Sequence, residues 1–188
     1  MEIIKAIRQR CSTRKYKPEQ IKREELELII EAARWAPTGM DDRKAKIYVF
    51  QDPVKIRALG KVLAEAVLKG NADGISKDKG AFMLSDNYHF CYHAPTFLLI
   101  TYEKGNYNSL PNTGCMLENA MLQATELGIG SCWINLVRRC GKDEGVQEFL
   151  KQFGFTEDEE ITGGLALGYP AEEFRVNPKE DGNEVVWT

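Results

Sequence analysis

Arg10-Cys11-Ser12-Thr13-Arg14 follows a short segment with Ile3, Ile4 and Ile7 at helical spacing and precedes Lys15-Tyr16-Lys17-Pro18. In an extended chain, residues at i, i+2 and i+4 point to one side. Arg10, Ser12 and Arg14 then converge, two guanidinium forks flanking a hydroxyl. That set suits a phosphate, which accepts paired bonds from Arg and a further bond from Ser. The same spacing also fits a solvated basic turn, because short Arg/Lys runs are common on surfaces.

The rest of the chain narrows the setting. With 188 residues, 43% hydrophobic and 28% charged, it has the length and composition of one globular domain, residues 1–188, with a sizeable core. A formal charge of −3 argues against a general nucleic-acid binder, so the basic cluster near residue 10 is local. No apolar run approaches the ~18 residues of a spanning helix, so no membrane partner is expected. The acid at Glu2 and the lack of a long apolar stretch after it speak against a signal peptide. Five scattered cysteines without a Cys-x-x-Cys read as reduced thiols, and a cytoplasmic location follows as the expectation.

Leu26, Ile29, Ile30 and Ala33 mark a helix that Pro37 terminates. Residues 45–51 read as a strand through Ile47, Val49 and Phe50. Ile56, Leu59, Leu63 and Ala66 mark another helix. Residues 70–90 are irregular, as lids and binding loops often are. Thr96 to Tyr102 reads as a buried strand. Met116 to Leu127 is apolar around most of a helix, which places it in a core or an interface. Short strands are expected at Ser131–Asn135 and Leu165–Tyr169, a last helix around Val146, Phe149, Leu150 and Phe153, and a final strand at Val185-Val186-Trp187. Helices and strands do not alternate regularly, so the fold class is α+β.

Several motifs occur in a characteristic order. Arg10-x-Ser12-x-Arg14 is followed by Ala36-Pro37-Thr38-Gly39-Met40, and Ala94-Pro95 leads an apolar strand. Then come Glu118-Asn119-Ala120-Met121-Leu122, the run from Leu127 to Ile134, and Leu167-Gly168-Tyr169-Pro170. In this order the chain resembles the nitroreductase family over nearly its whole length. The resemblance implies a mixed central sheet flanked by helices and a homodimer in which a C-terminal extension crosses to the partner. It also implies FMN at the subunit interface and, in many members, reduction of nitroaromatics or quinones with NADH or NADPH. An isolated apolar tail such as Val185-Val186-Trp187 is costly to leave in water, and pairing with a partner's sheet edge would bury it.

The resemblance assigns cofactor-binding positions and no catalytic side chain, since the flavin carries the chemistry. Arg10, Ser12 and Arg14 would hold the FMN phosphate and ribityl chain. The backbone around Trp133, Ile134 and Asn135 would face the ring, although Trp133 could equally pack in the core. Pro37, Thr38, Gly39 and Asp41 match a loop that reaches the flavin of the other subunit. Here the chain departs from the usual Ala-Pro-Ser-Gly-Met-Asn-x-Gln-Pro-Trp, with Asp41 for Asn, Arg43 for Gln and Lys44-Ala45 for Pro-Trp. An ionised Asp only accepts hydrogen bonds, and Asp41 could instead pair with Arg43 or Lys44. A basic residue after Gly-Tyr-Pro, Lys179 with Arg175 in reserve, would meet the phosphate or stand in solvent.

His89 and His93 share an i, i+4 spacing that can bind metal on a helix, but no third ligand stands nearby, so no metal is expected. Gly128-x-Gly130 lacks the third glycine of a dinucleotide fingerprint. The reading is a ping-pong FMN oxidoreductase with one pocket for a nicotinamide donor and a small electron-poor acceptor. Its rivals are a flavin-holding sensor or carrier without turnover, supported by the altered loop, and a specialised flavin reaction such as reductive dehalogenation.

Overall fold

Thr96–Glu103 forms the strand around which the molecule is built, and all of it but its last residue is buried. In the computed structural model, which describes residues 2–173 and 183–188, this strand alternates its side chains between two cores. Phe97 and Leu99 face one, with Leu59, Leu63, Val137 and Leu150. Leu98 and Ile100 face the other, with Leu26, Ile29, Leu117 and Leu167. A strand covered on both faces needs apolar residues at every position, which explains its unbroken hydrophobic run.

The helices are α1 (Ile3–Gln9), α2 (Arg23–Arg34), α3 (Pro53–Lys69), α4 (Lys79–Met83), α5 (Ser109–Glu126), α6 (Leu136–Arg139) and α7 (Glu144–Lys151). The strands are β1 (Lys46–Phe50), β2 (Thr96–Glu103), β3 (Gly130–Trp133) and β4 (Glu159–Gly168). Among the described residues they form one sheet in the order β1-β2-β4-β3. Residues of α3, α6 and α7 cover one face, and residues of α2 and α5 cover the other. The α+β architecture is as expected. The named strands pair antiparallel throughout, and the parallel component is the isolated bridge between Ser12 and Ser131.

Local chemistry sets several boundaries. Asp52 accepts from the Val54 N–H at 2.8 Å, Pro53 follows at the first helical position, and Gly70 closes α3 in the left-handed conformation (φ 84°). Asp143 caps α7 through the N–H groups of Gly145 and Val146.

Other boundaries differ from the periodicity. α5 begins at Ser109, not near Met116. Its first turns carry Pro111, Asn112 and Gly114, polar or helix-averse residues that tertiary contacts hold in place. β4 begins at Glu159, not Leu165. Gly164 masks it, because a Cβ there would stand 2.5 Å from the Phe97 ring. α4, inside the stretch 70–90 read as irregular, and α6 are short helices that the periodicity does not predict. Val185, Val186 and Trp187 form no strand within the chain and are exposed. No helix among the described residues is long and apolar enough to cross a membrane.

Candidate functional site

Residues 12–17 run along the sheet edge as an extended seam. Thr13 N–H donates to the Ser131 carbonyl at 2.9 Å, Lys17 N–H to Tyr169 O at 2.8 Å, and Ala171 N–H to Lys15 O at 3.0 Å. Gly130 permits this approach, since a Cβ there would stand 2.7 Å from the Thr13 side chain. The i, i+2, i+4 reading of Arg10, Ser12 and Arg14 thus has the extended backbone it requires from Ser12 onward. Arg10 stands at the C-terminal cap of α1 with its Nε 3.7 Å from Glu118 Oε1 of α5.

Cys132 of β3 is buried, one residue after the Ser131 to which this stretch is bridged. Burial pushes its thiol pKa up, while Arg14, a hydrogen bond with Ser12, and Arg10 pull it down; the net shift is upward. The Arg14 guanidinium carbon lies 5.8 Å from the centre of the Tyr92 ring, a cation–π distance. A Tyr92 hydrogen bond is the main cause of a raised Arg14 pKa. Tyr16 donates to Thr13 O at 2.8 Å, and burial raises its pKa.

β3 then leads into an open cleft of ≈ 500 Å³ lined by Leu110, Trp133, Asn135, Arg138 and Thr162. Trp133 is 40% exposed, so it is a cleft wall and not core packing. Ile134 turns inward, buried, with its N–H committed to Gly164 O at 2.8 Å. Asn135 Oδ1 accepts from Arg138 Nε at 3.0 Å. The ring-facing stretch read from sequence thus divides: Trp133 and Asn135 line the cleft, and Ile134 anchors it.

The loop with Pro37, Thr38, Gly39 and Asp41 approaches the same end of α5. Leu110 faces the cleft, while Asn112, two residues on, accepts from the Gly39 N–H at 2.9 Å. Asn112 donates in turn to the Tyr102 hydroxyl at 3.0 Å, which donates to Asp42 O at 3.1 Å. Met40 and Asp41 are both left-handed (φ 59° and 54°), a conformation unfavourable without glycine. Their side chains point outward, and Met40 is 96% exposed. Asp41 pairs with Arg43 Nε at 3.1 Å, and Lys44 pairs with Glu103. Of the two pairings left open for Asp41, the structure has the one with Arg43.

Lys179 and its reserve Arg175 lie outside the described residues. His89 and His93 sit in turns, not on a helix, with Tyr92 and His93 left-handed (φ 58° and 59°). The described residues contain no group of three or more His, Cys, Asp or Glu placed to hold a metal. Tyr92, Cys132 and Arg138 are the site residues that sequence reasoning missed. Cys132 and Arg138 flank the Trp133 stretch and were within reach of it; Tyr92 meets Arg14 only through the fold.

A family model described as the nitroreductase family matches residues 7–169. A nitroreductase from Bacteroides fragilis, solved with bound FMN, is similar at 31% identity with TM-score 0.89, over 100% of this chain and 98% of its own. An FMN-bound nitroreductase from Desulfitobacterium hafniense shares 25% identity with TM-score 0.78, over 99% of each chain. A protein of Archaeoglobus fulgidus, provisionally named an NADH dehydrogenase/NAD(P)H nitroreductase, is 27% identical over 92% of this chain and 87% of its own.

Proposed function

The chain belongs to the nitroreductase family, and on that footing we propose that it is a single-domain FMN oxidoreductase, passing reducing equivalents from NADH or NADPH to a small electron-poor acceptor. The observation that carries this reading is the seam itself: the stretch with Ser12 and Arg14 is bridged to Ser131 of β3, two residues before Trp133 of the cleft, and Arg10 stands at its start. The donor set suits a phosphate, and a cleft of ≈ 500 Å³ falls in the range of cofactor pockets. The residues present therefore fit FMN. Relatives solved with FMN bound point the same way.

Arg10, Ser12 and Arg14 would hold the phosphate and the start of the ribityl chain, with Glu118 and Tyr92 keeping the two guanidinium groups in place. Lys179 would add a further cation to the phosphate. Trp133 would offer an apolar wall to the ring. Asn135 is one of the polar groups of the cleft, with Arg138 and Thr162, that could meet the ring edge, since the Ile134 N–H is already used. Bound FMN supplies hydride transfer, and the protein's share is position and electrostatics. With one cleft for both substrates, donor product would leave before the acceptor enters, a ping-pong order; nitroaromatics and quinones are the acceptors this family reading favours.

Assembly as a homodimer is part of the proposal. Ile3, Ile7, Trp35, Met40, Val186 and Trp187 are all exposed, apolar surface that a partner chain would cover. The loop from Pro37 to Asp41 and the C-terminal tail would then meet the partner. Five unpaired cysteines suit a reducing compartment such as the cytoplasm.

An anaerobic absorbance titration of the FMN-loaded protein with NADH and then NADPH tests the reading. Bleaching of the flavin band by either donor, restored by a quinone, is the expected result. Tight FMN that neither donor bleaches would replace the enzyme with a flavin-holding protein, and failure to bind FMN would overturn the proposal.

A further inference from the structure

A second cavity, of ≈ 210 Å³, lies between α3 and the segment 83–93. Arg57 and Lys61 line it from α3, one helical turn apart. Gly60 stands between them, and a Cβ there would come within 3.0 Å of the Phe90 ring. Glycine thus lets Phe90 pack against the helix while the two cations flank it. On the other side the rings of His89 and His93 lie 4.3 Å apart, and the His93 N–H donates to His89 Nδ1 at 3.1 Å. Two successive left-handed residues, Tyr92 and His93, shape this wall. Such backbone costs on the order of 1–3 kcal/mol per residue and persists where the surroundings enforce it, often at binding sites.

The charge in this cavity is unbalanced. Its one carboxylate, Asp86, is fully exposed and lies 3.9 Å from Arg57, beyond hydrogen-bonding distance. Lys61 makes no ion pair among the described residues. Met83, Leu84 and Phe90 add apolar wall. A water needs roughly 10–15 Å³ of such space, so the cavity has room for a ligand of ring size.

We propose that this cavity binds a small organic anion, its acid group met by Arg57 and Lys61 and its apolar body lying on Met83, Leu84 and Phe90. Its lining shares no residue with the Trp133 cleft, and it adjoins the seam through Tyr92, the neighbour of His93 that meets Arg14; its charge and shape do not rest on the flavin reading. His89 supplies a reporter. Burial first, then His93 and Arg57, bring its pKa down to about 4, so it is neutral near pH 7. The groups around it are His93, Arg57, Lys61, Asp86, Tyr88 and Cys91. An anion beside Arg57 and Lys61 would offset their charge and raise the His89 value.

The test is NMR of the two histidine rings, the only ones in the chain, in FMN-loaded protein titrated with benzoate. Saturable shifts of both rings are expected, with the His89 midpoint moved upward at saturation. The shifts should vanish in Arg57→Gln/Lys61→Gln, whose replaced residues are exposed, and persist in Lys55→Gln on the same helix. Non-saturating shifts, shifts surviving the double variant, or an equal response to inorganic phosphate would overturn the site. So would histidine shifts that track a change in the flavin absorbance band, which would put benzoate in the cleft.

Discussion

At the end of the sheet where β1 begins, a buried carboxylate is closed in by donors; at the end where β3 begins, one guanidinium group has a distant carboxylate and another an aromatic ring. Glu159, 6% exposed, accepts from Lys46 Nζ at 2.6 Å, Thr101 Oγ1 at 2.6 Å and the Tyr48 hydroxyl at 2.9 Å. Burial pushes its pKa up, but these three partners outweigh that, and the net value is lowered. Arg10 and Arg14, by contrast, have Glu118 at 3.7 Å from Arg10 and the Tyr92 ring beneath Arg14. A saturated network has nothing left to offer a ligand and serves the fold. An unsaturated cation pair beside a cleft is arranged for an anion that comes from outside.

The largest expected effect breaks the open end. Arg10→Ala with Arg14→Ala should weaken FMN binding by about two to four orders of magnitude, since each charge-assisted hydrogen bond is worth about 1.5–3 kcal/mol and 1.4 kcal/mol is tenfold. Flavin fluorescence titration reads this, and a loss of less than about threefold would remove the seam from the cofactor site. The closed end should behave oppositely. Glu159→Ala should cost about 1.5–3 kcal/mol in chemical denaturation and leave FMN affinity unchanged; a selective loss of FMN would erase the distinction between the two ends.

A pH series sharpens the same contrast. A carboxylate whose folded pKa is lowered stabilises the fold above its ordinary value, 4.5 for Glu159, and this stability is lost as pH falls through the folded value. Denaturation midpoints should therefore drop on the acid side more steeply in the wild type than in Glu159→Gln. Equal acid limbs would mean that Glu159 is not held ionised by its partners. The smallest effect is expected at the loop. The Asp41–Arg43 pair is exposed, so Asp41→Asn should change stability by less than about 1 kcal/mol. If the loop meets the partner's flavin, the same change should raise the flavin midpoint potential, and more so in an Arg43→Gln background where the carboxylate is unpaired. A potential that does not move in either background would place the loop away from the ring.

Much of this was legible because it is local. The i, i+2, i+4 pattern of Arg10, Ser12 and Arg14, the buried run of β2 and the periodicity of α3 each follow from neighbours in the chain. The start of α5 was hidden because Pro111 and Gly114 disfavour helix, and what holds that turn comes from elsewhere: Asn112 binds Gly39 and Tyr102, and Thr113 donates to Thr162 Oγ1 at 2.7 Å. β4 was half hidden because Gly163 and Gly164 are poor strand formers retained for the side chains packed against them. Trp133 was open to two readings, because burial depends on which elements close over a residue.

Most of the longer helices and strands, the apolar run of the central strand and the cationic triplet can be read from residue types and their spacing, since periodicity and charge are properties of the linear chain; the family entered as a resemblance carried by the order of the motifs. The meeting of Tyr92 with Arg14, the burial of Cys132 under the seam, the inward turn of Ile134 and the cavity between α3 and His89 were set by packing. Each depends on residues distant in sequence, and close packing in a folded interior fixes which of them touch.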